Sequence, residues 1–325
     1  MARIGVVLLN LGGPQSLDDI EEFLYNLFMD PYIIEIPLRG GLRRSFARLI
    51  ARKRAEKTKH YYELMGGKSP QYALTISQAS ALERKLRQEH DVRVYVGMRY
   101  FKPYIDTTFE TLITDNIKEV ILLPLYPHYS RTTTLSSFEE WNRVTKGRSG
   151  SMKVTRIESY HDFPPYIDAV VDRIQTTLKR FPEGLRRGVH ILYSAHGVPV
   201  SVIKRGDPYQ KQIIETVELV SRHFENEHSL AYQSRVGPVK WLGPPTRDEI
   251  KKRAAEGKRG LLVVPISFVS EHSETLYEVN RLFRDEAMAA GVGQFEMMPA
   301  LNDSPKFINA LAQLVKGKFP ELNRK

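Results

Sequence analysis

The sequence predicts a mostly parallel α/β protein made of two similar halves. Seven short apolar runs, at about 3–9, 92–98, 118–126, 188–194, 230–234, 260–268 and 295–298, are separated by helix-patterned sequence. That alternation is what a parallel sheet covered by helices on both faces requires. A weak internal repeat supplies the second observation. VVLLNLGGP (6–14) is similar to ILYSAHGVP (191–199), RVYVGMR (93–99) to LAYQSR (230–235), and ILLPLYP (121–127) to LVVPISF (262–268). The third is composition: 325 residues, 42% hydrophobic and 26% charged, are enough for two globular domains of ordinary make-up.

The first run ends in LNLGGPQS, whose glycines suit a tight strand-to-helix turn. They match neither G-x-G-x-x-G nor a phosphate loop with its lysine, so no nucleotide is expected. Pro14 and Arg99 are 85 positions apart, whereas Pro199 and Arg235 are 36 apart, so the first half carries an insertion. It spans about 23–75 and contains FLYNLFMD and a basic run from Arg39 to Lys59, along which, starting just before it, Leu38, Leu42, Phe46, Leu49 and Ile50 recur at helical spacing. Such a helix is either a solvated face over the core or a contact for an anionic membrane surface. Nucleic acid is not expected, because no binding motif accompanies the charge. At the carboxyl edge of a sheet, the insertion is placed to form a lip over a site.

The strand ending at Arg99 and Tyr100 and the hydroxyl-rich YPHYSRTTTLSS (126–137) bring an arginine and several hydroxyl groups to other strand ends. The repeat sets Arg99 opposite Arg235 and Leu11 opposite His196. A histidine at a strand end is often structural, but the apolar counterpart favours a functional one. In SEHSETLYEVNR (270–281), Ser270 or Ser273 suits a helix cap, and Glu271, Glu274 and Glu278 recur at spacings of three and four. This stripe is either a solvated face or an oxygen-lined path for a divalent cation or protons. Together with Tyr62, Ser69 and Trp241, these groups imply a flat, apolar, carboxylated ligand.

From VVLLNLGGPQSLDDIEEFL through GGKSP, VGMRY, LPLYPHYS, SAHGVPVSVIKRGDPY, QSRVGP, WLGP and PISFVSEHSETLYE, the chain resembles the ferrochelatases over nearly its full length. The resemblance implies two Rossmann-type lobes with parallel sheets and a porphyrin cleft between them. The first lobe would comprise 1–150 plus a C-terminal helix at 304–325, and the second 151–303, carrying His196 and Glu274. It implies insertion of Fe(II) into protoporphyrin IX to give protohaem with release of two protons. His196 and Glu274 match the catalytic and metal-binding pair, and Glu271 and Glu278 a proton or metal path. Leu11, Arg54, Tyr62, Ser69, Arg99, Tyr100, Tyr126, Trp241 and His272 match porphyrin-contacting positions. Whether His196 acts chiefly as base or as ligand stays open.

Some members of the family hold a cysteine-ligated iron–sulfur cluster, one ligand of which aligns with Arg131. This chain has no cysteine, and no such cluster or other tightly bound cofactor is expected, Fe(II) being a substrate. The coproporphyrin branch has a tyrosine where this chain has Leu11 and a shorter lip, so protoporphyrin is the expected substrate. Coproporphyrin turnover and a non-catalytic porphyrin or haem carrier are the alternatives. With no 18-residue apolar run or secretory leader, the expected location is the cytoplasm, with peripheral contact to the inner face of the membrane.

Overall fold

The structure, a computed structural model, describes residues 3–34, 38–150, 152–234 and 239–322. Arg235, set opposite Arg99 by the repeat, lies outside the described residues. The chain divides into two compact units. One comprises Met1–Tyr126, Ser130–Ser159 and Ile308–Lys325, and the other Pro127–Tyr129 and Tyr160–Phe307.

In the first unit the elements run β1 (Ile4–Asn10), α1 (Ile20–Met29), α2 (Gly40–Glu63), α3 (Gln71–Leu86), β2 (Val92–Met98), α4 (Ile105–Thr114) and β3 (Glu119–Pro124). A short π-helical turn (Arg131–Leu135) then leads into α5 (Ser136–Thr145) and β4 (Lys153–Arg156). The second unit contains α6 (Pro164–Leu178), α7 (Glu183–Arg186), β5 (His190–His196), α8 (Val200–Lys204), α9 (Tyr209–Ser221), β6 (His228–Gln233), α10 (Thr246–Ala255) and β7 (Gly260–Val264). A π-helix (Glu274–Phe283) then passes directly into α11 (Arg284–Ala289), followed by β8 (Gln294–Met297) and the start of α12 (Pro305–Leu322).

Each unit has one four-stranded parallel sheet, ordered β2-β1-β3-β4 in the first and β6-β5-β7-β8 in the second. The two orders are the same, and the sequence repeat explains why: its paired segments are β1 with β5, β2 with β6 and β3 with β7. Both central strands are covered on both faces, which is why they read as unbroken apolar runs; Val6, Val7, Leu8 and Leu9 are fully buried. Around the first sheet, Phe109 of α4 meets Trp141 of α5 edge to face, with ring centroids 5.9 Å apart. Around the second, Val279 and Phe283 of the π-helix pack with Leu192, Leu261, Val263 and Phe295.

The structure departs from the sequence reading in three places. Strand β4 is an additional element, since only Thr155 of KVTR is buried; its identity comes from parallel pairing with β3, Glu119 opposite Lys153. Ser273 makes no side-chain capping bond, because it already has helical dihedrals at the start of the π-helix. On α2 the seam against Ile20, Leu24 and Phe28 of α1 is made by Ala47, Ala51 and Ala55, small side chains four residues apart. The larger Leu42 and Leu49 are left 71% and 68% exposed.

Candidate active site

Three strand ends and one helix of the second unit build the site. His196 is the last residue of β5 and stands in register with Gln233 at the end of β6, while Ser267 follows β7 on the other side. The His196 amide donates to Ser267 Oγ at 2.9 Å, and its carbonyl accepts from the hydroxyl of Tyr209 on α9 at 2.9 Å, which pins the backbone from two sides. The next residue has to be glycine. A Cβ on Gly197 would lie 2.6 Å from the Gln233 carbonyl oxygen, to which the Gly197 amide donates at 2.8 Å.

The imidazole presents Nδ1 to Glu274 Oε2 at 2.8 Å and keeps 38% of its side chain exposed. That leaves Nε2 as the nitrogen open to a substrate. Burial disfavours the charged ring, but the Glu274 carboxylate, and Glu278 beyond it, more than offset this, so the His196 pKa lies above its ordinary value. For Glu274 burial acts upward, yet the adjacent imidazole and the Ser234 hydroxyl hold its pKa well below the carboxylate range.

The π-helix sets the spacing of the carboxylates. Its wider turn keeps residues four apart nearly in line, so Thr275, Val279 and Phe283 form the buried row while Glu274 and Glu278 form the adjacent one. Both acids meet Ser234, just past the end of β6: its hydroxyl lies 2.8 Å from Glu274 Oε2 and 2.6 Å from Glu278 Oε2, and its amide donates to Glu278 Oε1 at 3.2 Å. Burial first, and then the neighbouring Glu274, raise the Glu278 pKa. Gln233 donates to Glu274 at 3.3 Å and is itself fixed by Ser194, whose hydroxyl donates to Gln233 Oε1 at 2.6 Å.

Glu271 does not continue this row. It precedes the helix and accepts from the Ala300 amide at 2.7 Å and from the Thr275 hydroxyl, with a pKa raised by burial. The predicted single stripe is therefore a pair, Glu274 with Glu278, plus a partly buried carboxylate turned toward the segment after β8. His272 is buried with its ring 4.1 Å from that of Phe268, and burial lowers its pKa to about 4. Trp241 forms an isolated bridge with Pro199, close behind Gly197.

The other candidates belong to the first unit. Leu11 is partly exposed just beyond β1, and Tyr62 and Ser69 are buried. Arg54 lies over the Phe28 ring, 5.8 Å from its centroid. Arg99 is 15% exposed and donates to Asp30 Oδ2 at 2.9 Å and to Ser136 Oγ at 2.9 Å. Tyr100 has no exposed surface and donates to the same Asp30 oxygen at 2.6 Å, so it braces Arg99 from within the unit. Tyr126 is buried. Asp30, Gln233, Ser234 and Ser267 were not singled out in the sequence, although QSRVGP and PISF contain three of them.

The site can take a proton on a partly exposed imidazole whose charged form two carboxylates stabilise. Among the described residues no group of three or more His, Asp or Glu is placed to hold a metal ion, so His196 and Glu274 supply two ligands at most.

The sequence profile described as Ferrochelatase matches residues 3–319. The chain is 49% identical over 316 residues to a protein of Aquifex aeolicus (strain VF5) named Ferrochelatase, covering 97% of this chain and 99% of that one. It is 46% identical over 323 residues to one of the same name from Synechocystis sp. (strain ATCC 27184 / PCC 6803 / Kazusa), covering 97% and 82%. Among solved structures, the sirohydrochlorin chelatase SirB from Bacillus subtilis subspecies spizizenii in complex with cobalt superposes with a TM-score of 0.56 at 12% identity, covering 99% of this chain and 98% of that one, a likeness of fold.

Proposed function

The chain belongs to the ferrochelatase family of metal chelatases, and we propose that it inserts Fe(II) into protoporphyrin IX, with His196 taking the pyrrole protons and Glu274 stabilising the imidazolium that forms. The observation that carries this reading is the half-exposed His196 imidazole bonded through Nδ1 to Glu274 at 2.8 Å. A free porphyrin carries two N–H protons, and both must leave as the metal enters a rigid square of nitrogens. A neutral imidazole accepts one on Nε2 while the bonded carboxylate stabilises the imidazolium that forms. The Nε2 proton then leaves to solvent while Nδ1 keeps its hydrogen on Glu274, which restores the neutral tautomer able to accept the second. Transient binding of the entering Fe(II) by the same pair is compatible with imidazole and carboxylate donors.

The preference for protoporphyrin rests on Leu11, an apolar residue partly open at the end of β1, and on the α1–α2 insertion. Arg54, Tyr62, Ser69, Arg99, Tyr126, Trp241 and His272 remain the proposed porphyrin contacts, whereas Tyr100, with no exposed surface, acts through Arg99. Anaerobic mixing with Fe(II) or Zn(II) and protoporphyrin, followed by metalloporphyrin absorption, tests the reaction. Bound porphyrin that never metallates would instead support a carrier. A competition assay showing faster insertion into coproporphyrin would overturn the substrate choice.

No helix among the described residues is long and apolar enough to cross a membrane. The reading places the protein at the cytoplasmic surface of a membrane, in peripheral contact through α2, where exposed Leu42 and Leu49 stand among exposed Arg44, Arg48, Arg52 and Lys53. Arg43, expected to join that basic face, is instead buried: Nε donates to the Met29 carbonyl at 3.1 Å and Nη2 to that of Ile34 at 2.8 Å. It caps the carboxyl end of α1, where helix carbonyls lack partners.

A further inference from the structure

We infer that Asn10 is a positioning residue for porphyrin choice: with Gln71 and Thr75 it forms a buried lock that fixes Leu11 and ties Ser69 to the end of β1. The inference rests on the substrate reading proposed above and extends it to buried residues that act through the proposed contacts.

Asn10 closes β1 and is buried, so its side-chain amide must find its partners inside the protein. Oδ1 accepts from the Leu11 amide at 2.8 Å and from Gln71 Nε2 at 3.0 Å, and Nδ2 donates to Thr75 Oγ1 at 3.0 Å. Thr75 gives its own hydrogen to the Gln71 carbonyl at 2.8 Å, which leaves its oxygen to receive from Asn10. Gln71 and Thr75 stand about one turn apart at the start of α3, on one face of the helix. A single asparagine side chain therefore fastens the helix in which the insertion ends to the strand that precedes it.

The lock reaches two of the proposed porphyrin contacts. Leu11 is held at both ends of its backbone, its amide by Asn10 Oδ1 and its carbonyl by the Tyr100 amide at 2.8 Å. Ser69 is held from the α3 side: its hydroxyl accepts from the Gln71 amide at 3.3 Å, and its own amide donates to the Pro14 carbonyl at 2.8 Å. Gly13 permits this approach, because a Cβ there would lie 2.6 Å from Ser69 Oγ. The spacing between Leu11 and Ser69 is thus set through Asn10.

The second sheet shows that the fold does not need an asparagine at this point. In the repeat Asn10 corresponds to Ala195, fully buried in β5, and Leu11 to His196. There the amide of the closing residue is served from another strand end, by Ser267 Oγ. Burying a side-chain amide carries a desolvation cost that alanine avoids, so what Asn10 adds over its counterpart is the connection to α3. Protoporphyrin and coproporphyrin differ in peripheral substituents, vinyl groups against propionates. A residue that meets those groups tells them apart only while it is held in place, and a displacement on the order of 1 Å is enough to blur the distinction.

Steady-state Zn(II) insertion into protoporphyrin and, separately, into coproporphyrin tests this through the ratio of the two kcat/KM values. Asn10→Ala, which copies the second half, should lower the protoporphyrin-to-coproporphyrin ratio by about fivefold or more. Damage to the fold alone would slow both substrates alike and leave the ratio where it was. Should the alanine protein fail to fold, Gln71→Met keeps the length of the side chain, drops the donor to Asn10, and should move the ratio the same way by more than about twofold. A folded variant whose ratio stays within about twofold of the unaltered chain overturns the lock. Leu11→Tyr, measured alongside, separates the lock from the reading it rests on. A ratio that moves with Leu11→Tyr but with neither lock variant defeats the lock alone, whereas a ratio unmoved by Leu11→Tyr removes Leu11 as the selector and the lock with it.

Discussion

His196 and Glu274 are 78 residues apart in the chain, yet Nδ1 of one lies 2.8 Å from Oε2 of the other. One comes from the end of a central strand and the other from the first residue of a π-helix. In the proposed reaction this pair makes the imidazole a base whose charged form the carboxylate stabilises. His196→Ala should therefore lower turnover by at least about a hundredfold, the lower range for loss of a general base. The Tyr209 and Ser267 bonds are to the backbone of residue 196 and survive the substitution, so the fold should persist. Near-normal insertion by the folded variant would remove His196 from the chemistry.

The same pair gives the pH dependence its sign. Only the neutral imidazole accepts a proton, and Glu274 with Glu278 raises its pKa above 6.5 against the effect of burial. Turnover should thus rise with pH through a midpoint above 6.5. His272, the other ionisable neighbour, has a pKa near 4 and stays neutral through this range. In Glu274→Gln the midpoint should move downward, because the charge that favoured imidazolium is gone, and the limiting rate should fall because a less basic imidazole is a weaker proton acceptor. A midpoint unmoved by Glu274→Gln would break the link between the two residues. Porphyrin affinity should change little; a collapse of affinity with normal metallation of bound porphyrin would assign Glu274 a binding role.

Seven of the eight described strands were legible because parallel strands covered by helices read as apolar runs, and the repeat paired three strands of one half with three of the other; β4, with one buried residue, was not. His196 was legible for a related reason: a polar residue closing an apolar strand stands out. Ser234 and Asp30 were not, since their roles depend on partners 40 and 69 residues away that no periodicity relates. The carboxylate row was half visible. Spacings of three and four suit an α-helix and would align all three acids. The π-helix begins only at Glu274, which leaves Glu271 outside the row.

Asp30 illustrates what that blind spot conceals. Its side chain is fully buried and accepts from Arg99, Tyr100, Ser136 and the Tyr32 amide. Removing one partner of a buried, hydrogen-bonded ion pair typically costs about 3–5 kcal/mol. Asp30→Ala should fall in the lower part of that range, because Arg99 keeps its Ser136 bond and some solvent contact. Urea unfolding measures it. A loss below about 1 kcal/mol, the scale of exposed pairs, would show that the cluster is not a structural anchor.

The basic helix separates two kinds of arginine, and the membrane prediction turns on the difference. Protoporphyrin and haem are poorly soluble in water, so an enzyme handling them gains by resting where they partition. On α2, Leu42 and Leu49 are 71% and 68% exposed, with Arg44, Arg48 and Arg52 exposed beside them. Apolar side chains can enter the headgroup boundary while each cation contributes about 1 kcal/mol near an anionic surface. Binding should be reversible, salt-sensitive and confined to anionic vesicles, because screening acts within a Debye length of about 8 Å at physiological salt. Replacing Arg44, Arg48 and Arg52 by Glu should abolish sedimentation with such vesicles and leave unfolding unchanged. Arg43→Met should do the reverse: its guanidinium serves the carbonyls of Met29 and Ile34, so vesicle binding should persist while stability falls. If the triple charge reversal still sediments with anionic vesicles, or the native chain never does, α2 is a solvated cover for α1 and not a membrane contact.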